Sequence, residues 1–270
     1  MQFVPIESYL GKPSTQGKEY NINYSLVTRK EDARCEEEDV SKQEEDGDRP
    51  EKVMIWEKME KEEKKKVWEP LSETFNVAGQ EITIKLALDS YGALIWPAAR
   101  ALCEYLENNK EEIDMMDKAV LEIGAGTGLV SIVSCLLGAW VTASDLSDVL
   151  GNLRYNLSKN TRGRCRYTPQ VAAMAWGHNL QRNFPHSVFR YDYVLAADVV
   201  YHHDCLDELL VTMEHFCRPG TTLIWANKVR FECDHTFIQR FKDAFDTTVL
   251  AEVPEEEIII FKATFKTNWD

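Results

Sequence analysis

Residues 119–130 read AVLEIGAGTGLV, and the reading of this stretch decides the fold. Ala119 to Ile123 has the length and apolar character of a buried strand, and Leu129 to Leu137 that of a helix ended by Gly138. Between them Gly124-Ala125-Gly126-Thr127-Gly128 joins strand directly to helix, a placement in which glycines let the backbone approach a ligand closely. A dinucleotide site asks for its third glycine at position 129, where this chain has Leu129. The spacing is G-x-G-x-G preceded by Glu122, which leaves room for a different nucleoside cofactor. Asp145 ends the next strand, Trp140 to Ser144, where an acidic side chain takes ribose hydroxyls.

Outward from this unit the chain alternates strand and helix. Upstream, Glu73 to Leu88 places Phe75 and Val77, then Ala78-Gly79-Gln80, then Ile82, Ile84 and Leu86, a hairpin signal, and Ala98 to Leu106 reads as a helix. Downstream come a helix over Val149 to Leu157, a short strand over Val171 to Trp176, and a strongly apolar strand over Tyr191 to Ala196. Leu206 to Phe216 is a helix before Pro219-Gly220, Thr221 to Ala226 a strand and Phe237 to Phe245 a helix. Val249 to Val253 and Ile258 to Phe265 close the chain as an antiparallel pair of strands. Repeated β-α units with apolar strands predict an α/β fold of Rossmann-like type, a mostly parallel sheet with helices on both faces and a C-terminal antiparallel strand.

The first 66 residues have another character. Glu31 to Asp48 carries 10 acidic and 2 basic residues, and Val40 is its one large apolar side chain. Such a segment buries too little to offset its ordering entropy, and Lys52 to Lys66 mixes both signs as a solvated helix does. Residues 1–66 therefore read as an acidic, disordered extension and 67–270 as the folded domain. The whole chain carries −14, and 18 basic against 28 acidic residues leave 67–270 at −10, which opposes binding to nucleic acid. Seven scattered cysteines without a C-x-x-C pair point to a reducing compartment, and no apolar run spans a membrane. The expected location is the cytoplasm, with the nucleus as a second compartment, and the expected state a monomer.

Beside the glycine stretch stand Trp96-Pro97, Trp176-Gly177 and Ala197-Asp198-Val199-Val200-Tyr201. Together these resemble the class I S-adenosylmethionine-dependent protein-lysine methyltransferases of the methyltransferase-like 21 family, most nearly its C and E members, over residues 70 to 265. The resemblance implies S-adenosyl-L-methionine as cofactor, held by Trp96, Gly124, Ala125, Gly126, Asp145, Trp176 and Ala197, with Glu122 beside them. The aromatic side chains suit a ligand that carries a sulfonium and an adenine. It also implies that Asp198 and Tyr201, a D-x-x-Y pair past the apolar strand, line the acceptor channel, and that the acceptor is a lysine of a protein. Relatives act on chaperones and AAA-type ATPases, valosin-containing protein among them.

A lysine attacks a methyl group only as the neutral amine, so such a site must orient it and favour loss of its proton. Asp198 either accepts from the amine or anchors the channel backbone, and Tyr201 supplies an apolar wall and a hydroxyl. Rival readings are a small-molecule methyltransferase and a cofactor-binding interaction module without catalysis. The proline pair of amino-methylating nucleic-acid enzymes has no counterpart in Asp198-Val199-Val200-Tyr201. His202, His203, Asp204 and Cys205 are too close together to converge on one ion and read as a helix start rather than a metal site.

Overall fold

A computed structural model describes residues 71–87, 91–201 and 203–266. The acidic extension expected over 1–66 lies outside the described residues. Five strands, β3 (Ala119–Ile123), β4 (Trp140–Asp145), β5 (Gln170–Ala173), β6 (Tyr193–Ala197) and β7 (Thr222–Lys228), run parallel. With β8 (Phe245–Val253) and β9 (Ile258–Phe265) they form one sheet ordered β5-β4-β3-β6-β7-β9-β8. The last strand inserts antiparallel between β7 and β8, so it alone reverses direction. Chain order reverses between β3 and β6, and in open α/β sheets ligands bind at the carboxyl ends beside that point.

Helices α1 (Pro97–Asn108), α2 (Leu129–Leu136) and α3 (Leu150–Thr161) cover one face, α1 packing on α2 and α2 on α3. The short α4 (Leu180–Asn183) precedes β6, and α5 (Leu206–Phe216) and α6 (Glu232–Ala244) pack on the other face. Under them Trp225 is fully buried, stacked on Phe261 at 5.3 Å and met edge-on by Phe237 at 5.4 Å. Aromatic clustering of this kind rigidifies β7 beneath the residues that follow it.

Strands β1 (Ser72–Val77) and β2 (Gln80–Lys85) make the expected hairpin, which forms its own two-stranded sheet. It bridges the helical layer. On one side Glu73 pairs with Arg100 of α1, and Glu107 accepts from the turn amide of Ala78 at 2.7 Å. On the other, three asparagines one turn apart on α3 reach its free edge. Asn160 accepts from the Thr83 amide and donates to the Thr83 carbonyl, both at 2.9 Å. Asn156 does the same at Lys85, at 2.8 and 3.0 Å, and Asn152 adds a donor to the Lys85 carbonyl. Side-chain amides thus take the place of a third strand along Thr83 and Lys85 of β2.

Two expectations are corrected. The strand predicted over Val171–Trp176 ends at Ala173, and Trp176 stands in the following loop, because β4 itself ends at Asp145, the partner of Ala173. The helix predicted over Phe237–Phe245 begins five residues earlier, at Glu232, and Phe245 opens β8. Its polar first turn shows no apolar periodicity; Asp234 there accepts the amides of Arg230 and Phe231 at 2.8 and 3.0 Å.

Candidate active site

The glycine loop is shaped by backbone conformation. Gly124 and Gly126 both adopt positive φ, 68° and 53°, where a Cβ is strained. Space matters as well: a Cβ on Gly124 would lie 3.0 Å from Val199 Cγ1 and 3.4 Å from the Trp176 ring, and one on Gly126 would lie 3.0 Å from the Gly92 carbonyl. The Ala125 amide donates to Ser144 O at 2.9 Å, and that of Gly128 to Ala125 O at 2.7 Å. The loop therefore curls over the ends of β3 and β4.

Asp145 closes it. One carboxylate oxygen accepts from the Gly126 amide at 2.7 Å and the other from the Leu146 amide at 2.7 Å. Each oxygen keeps acceptor capacity for a diol. Burial raises the Asp145 pKa from its ordinary value, with the two amides acting against that rise. Glu122, 2% exposed, sits beneath the loop and accepts from the Ser131 hydroxyl. Burial pushes its pKa up to about 8, so near neutrality it is largely a neutral acid.

A cleft here is lined by Leu94, Trp96, Ala99, Glu122, Gly124 to Thr127, Leu129, Val130 and Ala197. Six expected cofactor residues, Trp96, Glu122, Gly124, Ala125, Gly126 and Ala197, thus share one wall. Asp145 joins them through Gly126, and Trp176 through its approach to Gly124.

Asp198 and Tyr201, expected from the sequence to line an acceptor channel, lie beside this cleft. Asp198 adopts a left-handed conformation, φ 54°, past the end of β6, and its side chain is fully buried. Three donors occupy it: the Ala98 amide at 2.9 Å on one oxygen, and the Lys228 amide at 3.1 Å with Arg230 Nη1 at 2.8 Å on the other. Pro97, the first residue of α1, has no amide hydrogen, so Ala98 carries the first orphan donor of that helix and Asp198 caps it from a distant strand. Two of these three donors are backbone amides, so the Asp198 carboxylate ties α1 to the end of β7.

Arg230 was missed by the sequence reading, since nothing marks an arginine 32 residues downstream as the partner of Asp198. Its guanidinium lies 5.3 Å from the centre of the Trp96 ring, whose indole stacks on Tyr201 at 5.8 Å and 14°. Arginine, tryptophan and tyrosine therefore form a layered stack that borders the cleft through Trp96. Burial pushes the Tyr201 phenol up to about 12, so it stays protonated at physiological pH. Among the described residues no cluster of three or more His, Cys, Asp or Glu stands ready for a metal ion.

The glycine cradle, the strand-end carboxylate and the facing indole fit a nucleoside ligand. Comparison with known proteins agrees. The lysine methyltransferase family matches residues 78–244. Protein-lysine methyltransferase METTL21E of Mus musculus is 49% identical over 73% of this chain and 80% of its own length. Protein N-lysine methyltransferase METTL21A of the same species is 34% identical over 73% and 89%. EEF1A lysine methyltransferase 3 of Xenopus tropicalis is 39% identical over 65% and 76%. Among solved structures, the Thermus thermophilus 16S rRNA N2 G1207 methyltransferase with AdoMet and guanosine superposes with a TM-score of 0.55 at 17% identity. It covers 72% of this chain and 50% of its own, a likeness of fold. The chain belongs to the lysine methyltransferase family and is an S-adenosylmethionine-dependent enzyme that methylates protein lysine.

Proposed function

We propose that the chain methylates one lysine of a chaperone or an AAA-type ATPase, with valosin-containing protein a candidate, in the reducing cytoplasm or nucleus, and works as a monomer. The observation that supports an acceptor lysine at this place is the buried Asp198–Arg230 pair behind the Trp96–Tyr201 stack, beside the glycine cradle. Six described cysteines as free thiols suit the compartment.

S-adenosylmethionine supplies a methyl group on a positively charged sulfur. On this reading Gly124 to Gly126 and Asp145 hold its nucleoside, and Trp96 faces its aminoacyl end. Tyr201 and Trp96 form an apolar wall that strips water from the incoming lysine, which favours its neutral form. The lysine nitrogen forms the new N–C bond with its lone pair as the S–C bond breaks, and the nitrogen then releases a proton to solvent. Asp198 does not take that proton on this reading, because its side chain is fully buried against Ala98, Lys228 and Arg230. Its work is to fix the wall. Rate enhancement then comes from aligning amine, methyl and sulfur.

The test is transfer of isotopically labelled methyl from S-adenosylmethionine into a cytosolic extract, with label located by mass spectrometry and Tyr201→Ala as control. Label on one lysine of a chaperone or AAA-type ATPase supports the reading. Label on EEF1A alone, the protein named in one relative, would replace the proposed target class, and label confined to small molecules would refute it.

A further inference from the structure

We infer that Asn156 is a positioning residue for the glycine loop and that it makes the N-terminal hairpin a working part of the donor site. This rests on reading that loop as the place where S-adenosylmethionine binds.

The side chain of Asn156 is fully buried on α3. Its Oδ1 accepts from the Lys85 amide at 2.8 Å, and its Nδ2 donates both to the Lys85 carbonyl at 3.0 Å and to the Thr127 carbonyl at 2.9 Å. Thr127 lies inside the loop, between Gly126, whose amide meets Asp145, and Gly128, whose amide closes the turn on Ala125. One amide group thus ties the last residue of β2 to the middle of the cradle. No other member of the asparagine ladder does so. Asn160 grips Thr83 and the Asn156 carbonyl, and Asn152 donates to Lys85 O.

This arrangement has a physical consequence. A glycine-rich loop is costly to order because its backbone freedom is large, and donors or carbonyls left unpaired in a buried place carry a further penalty. Asn156 satisfies the Thr127 carbonyl only while its own carbonyl oxygen is fixed by Lys85, since rotation of the amide would face oxygen against oxygen. The hairpin therefore sets the rotamer that pins the loop. Undocking β2 loosens the cradle, and loosening the cradle weakens the hold of the hairpin, as reciprocal coupling requires.

The ladder supplies its own control. Asn156→Leu removes both the hairpin bonds and the loop bond, whereas Asn160→Leu removes hairpin bonds and a bond to the Asn156 backbone carbonyl but none to the loop. Each is made in the full chain and measured by donor titration calorimetry and by hydrogen exchange of the loop peptide in donor-free protein. The expected result is about tenfold weaker donor binding and faster exchange of residues 124–128 for Asn156→Leu. Asn160→Leu keeps donor affinity within about twofold although it unfolds at a lower temperature. Asn156→Asp, which keeps the shape but loses both donated bonds, repeats the first pattern if the larger change fails to fold. Equal loss of affinity in the Asn156 and Asn160 variants, or unchanged loop exchange in the Asn156 variants, overturns the inference. Failure of the native chain to bind S-adenosylmethionine refutes the donor reading instead, and the exchange arm still decides the coupling.

Discussion

Asp198 Oδ1 lies 2.8 Å from Arg230 Nη1, with side chains 0% and 6% exposed, so the carboxylate of the acceptor motif is neutralised inside the protein. Removing one partner of such a pair leaves an uncompensated buried charge, at about 3–5 kcal/mol. Asp198→Ala also deprives α1 of its cap. Asp198→Ala is expected to lose transfer, unfold at a lower temperature and weaken donor binding through Trp96, which precedes that helix. Asp198→Asn keeps acceptor capacity for the Ala98 amide and should recover part of the stability. Thermal unfolding and calorimetry check this; unchanged stability in both variants would contradict the anchoring role.

Tyr201 separates wall from hydroxyl. Its pKa lies near 12, so no ionisation of the phenol falls within the working range. Tyr201→Phe keeps the stack on Trp96 and should change the rate by less than about tenfold without altering the pH profile, whereas Tyr201→Ala removes the wall and costs about a hundredfold or more. A pH profile displaced by Tyr201→Phe would assign the phenol a protolytic role.

Glu122 gives the fold a pH dependence with a definite sign. Its folded pKa, about 8, lies above the ordinary value of 4.5, so the folded state binds the proton more tightly. That contribution is fully present below 4.5 and is lost as pH rises toward 8, by about 1.4 kcal/mol per pH unit at most. Glu122→Gln keeps an acceptor for Ser131 and cannot ionise. Melting temperatures measured at about pH 5 and pH 8 should show the variant gaining on the native chain at the higher pH. A constant difference would mean that Glu122 is ionised throughout.

Much of this architecture is legible in sequence because parallel strands buried on both faces are apolar runs. Ala119–Ile123 and Ile258–Phe265 are read to the residue, and Trp140–Asp145 to within one. Where pattern is weak, the reading fails: Glu232 to His235 is a polar helical turn, and the four-residue α4 is too short for periodicity. The cradle and its strand-end Asp145 are equally visible, since local spacing encodes them. Arg230 and Asn156 are not, because their roles depend on partners 32 and 71 residues away. Spacing alone does put Asn152, Asn156 and Asn160 on one helical face, yet no rule of local sequence says that a strand edge lies opposite.

Asp145→Ala addresses donor recognition. The carboxylate holds the Gly126 amide as well as the expected diol, so its loss both removes a contact and frees the loop. Donor affinity should fall by more than about tenfold, with turnover at saturating donor changed far less. The opposite split, intact affinity with lost turnover, would move Asp145 out of donor recognition.

The last prediction concerns the acceptor protein. Residues 67–270 carry a formal charge of −10, and Asp145 and Asp148 both act on Tyr201, with Asp148 exposed at the surface. A lysine in a basic patch is drawn to such a surface over a screening length that shrinks from about 10 Å at 0.1 M salt to about 3 Å at 1 M. Rising salt should therefore increase KM for the acceptor protein and leave kcat nearly unchanged. Asp148→Asn, which removes one exposed surface charge, should flatten that dependence. If KM does not respond to salt, the acidic surface plays no part in choosing the acceptor, and recognition rests on apolar contact beside the Trp96–Tyr201 wall.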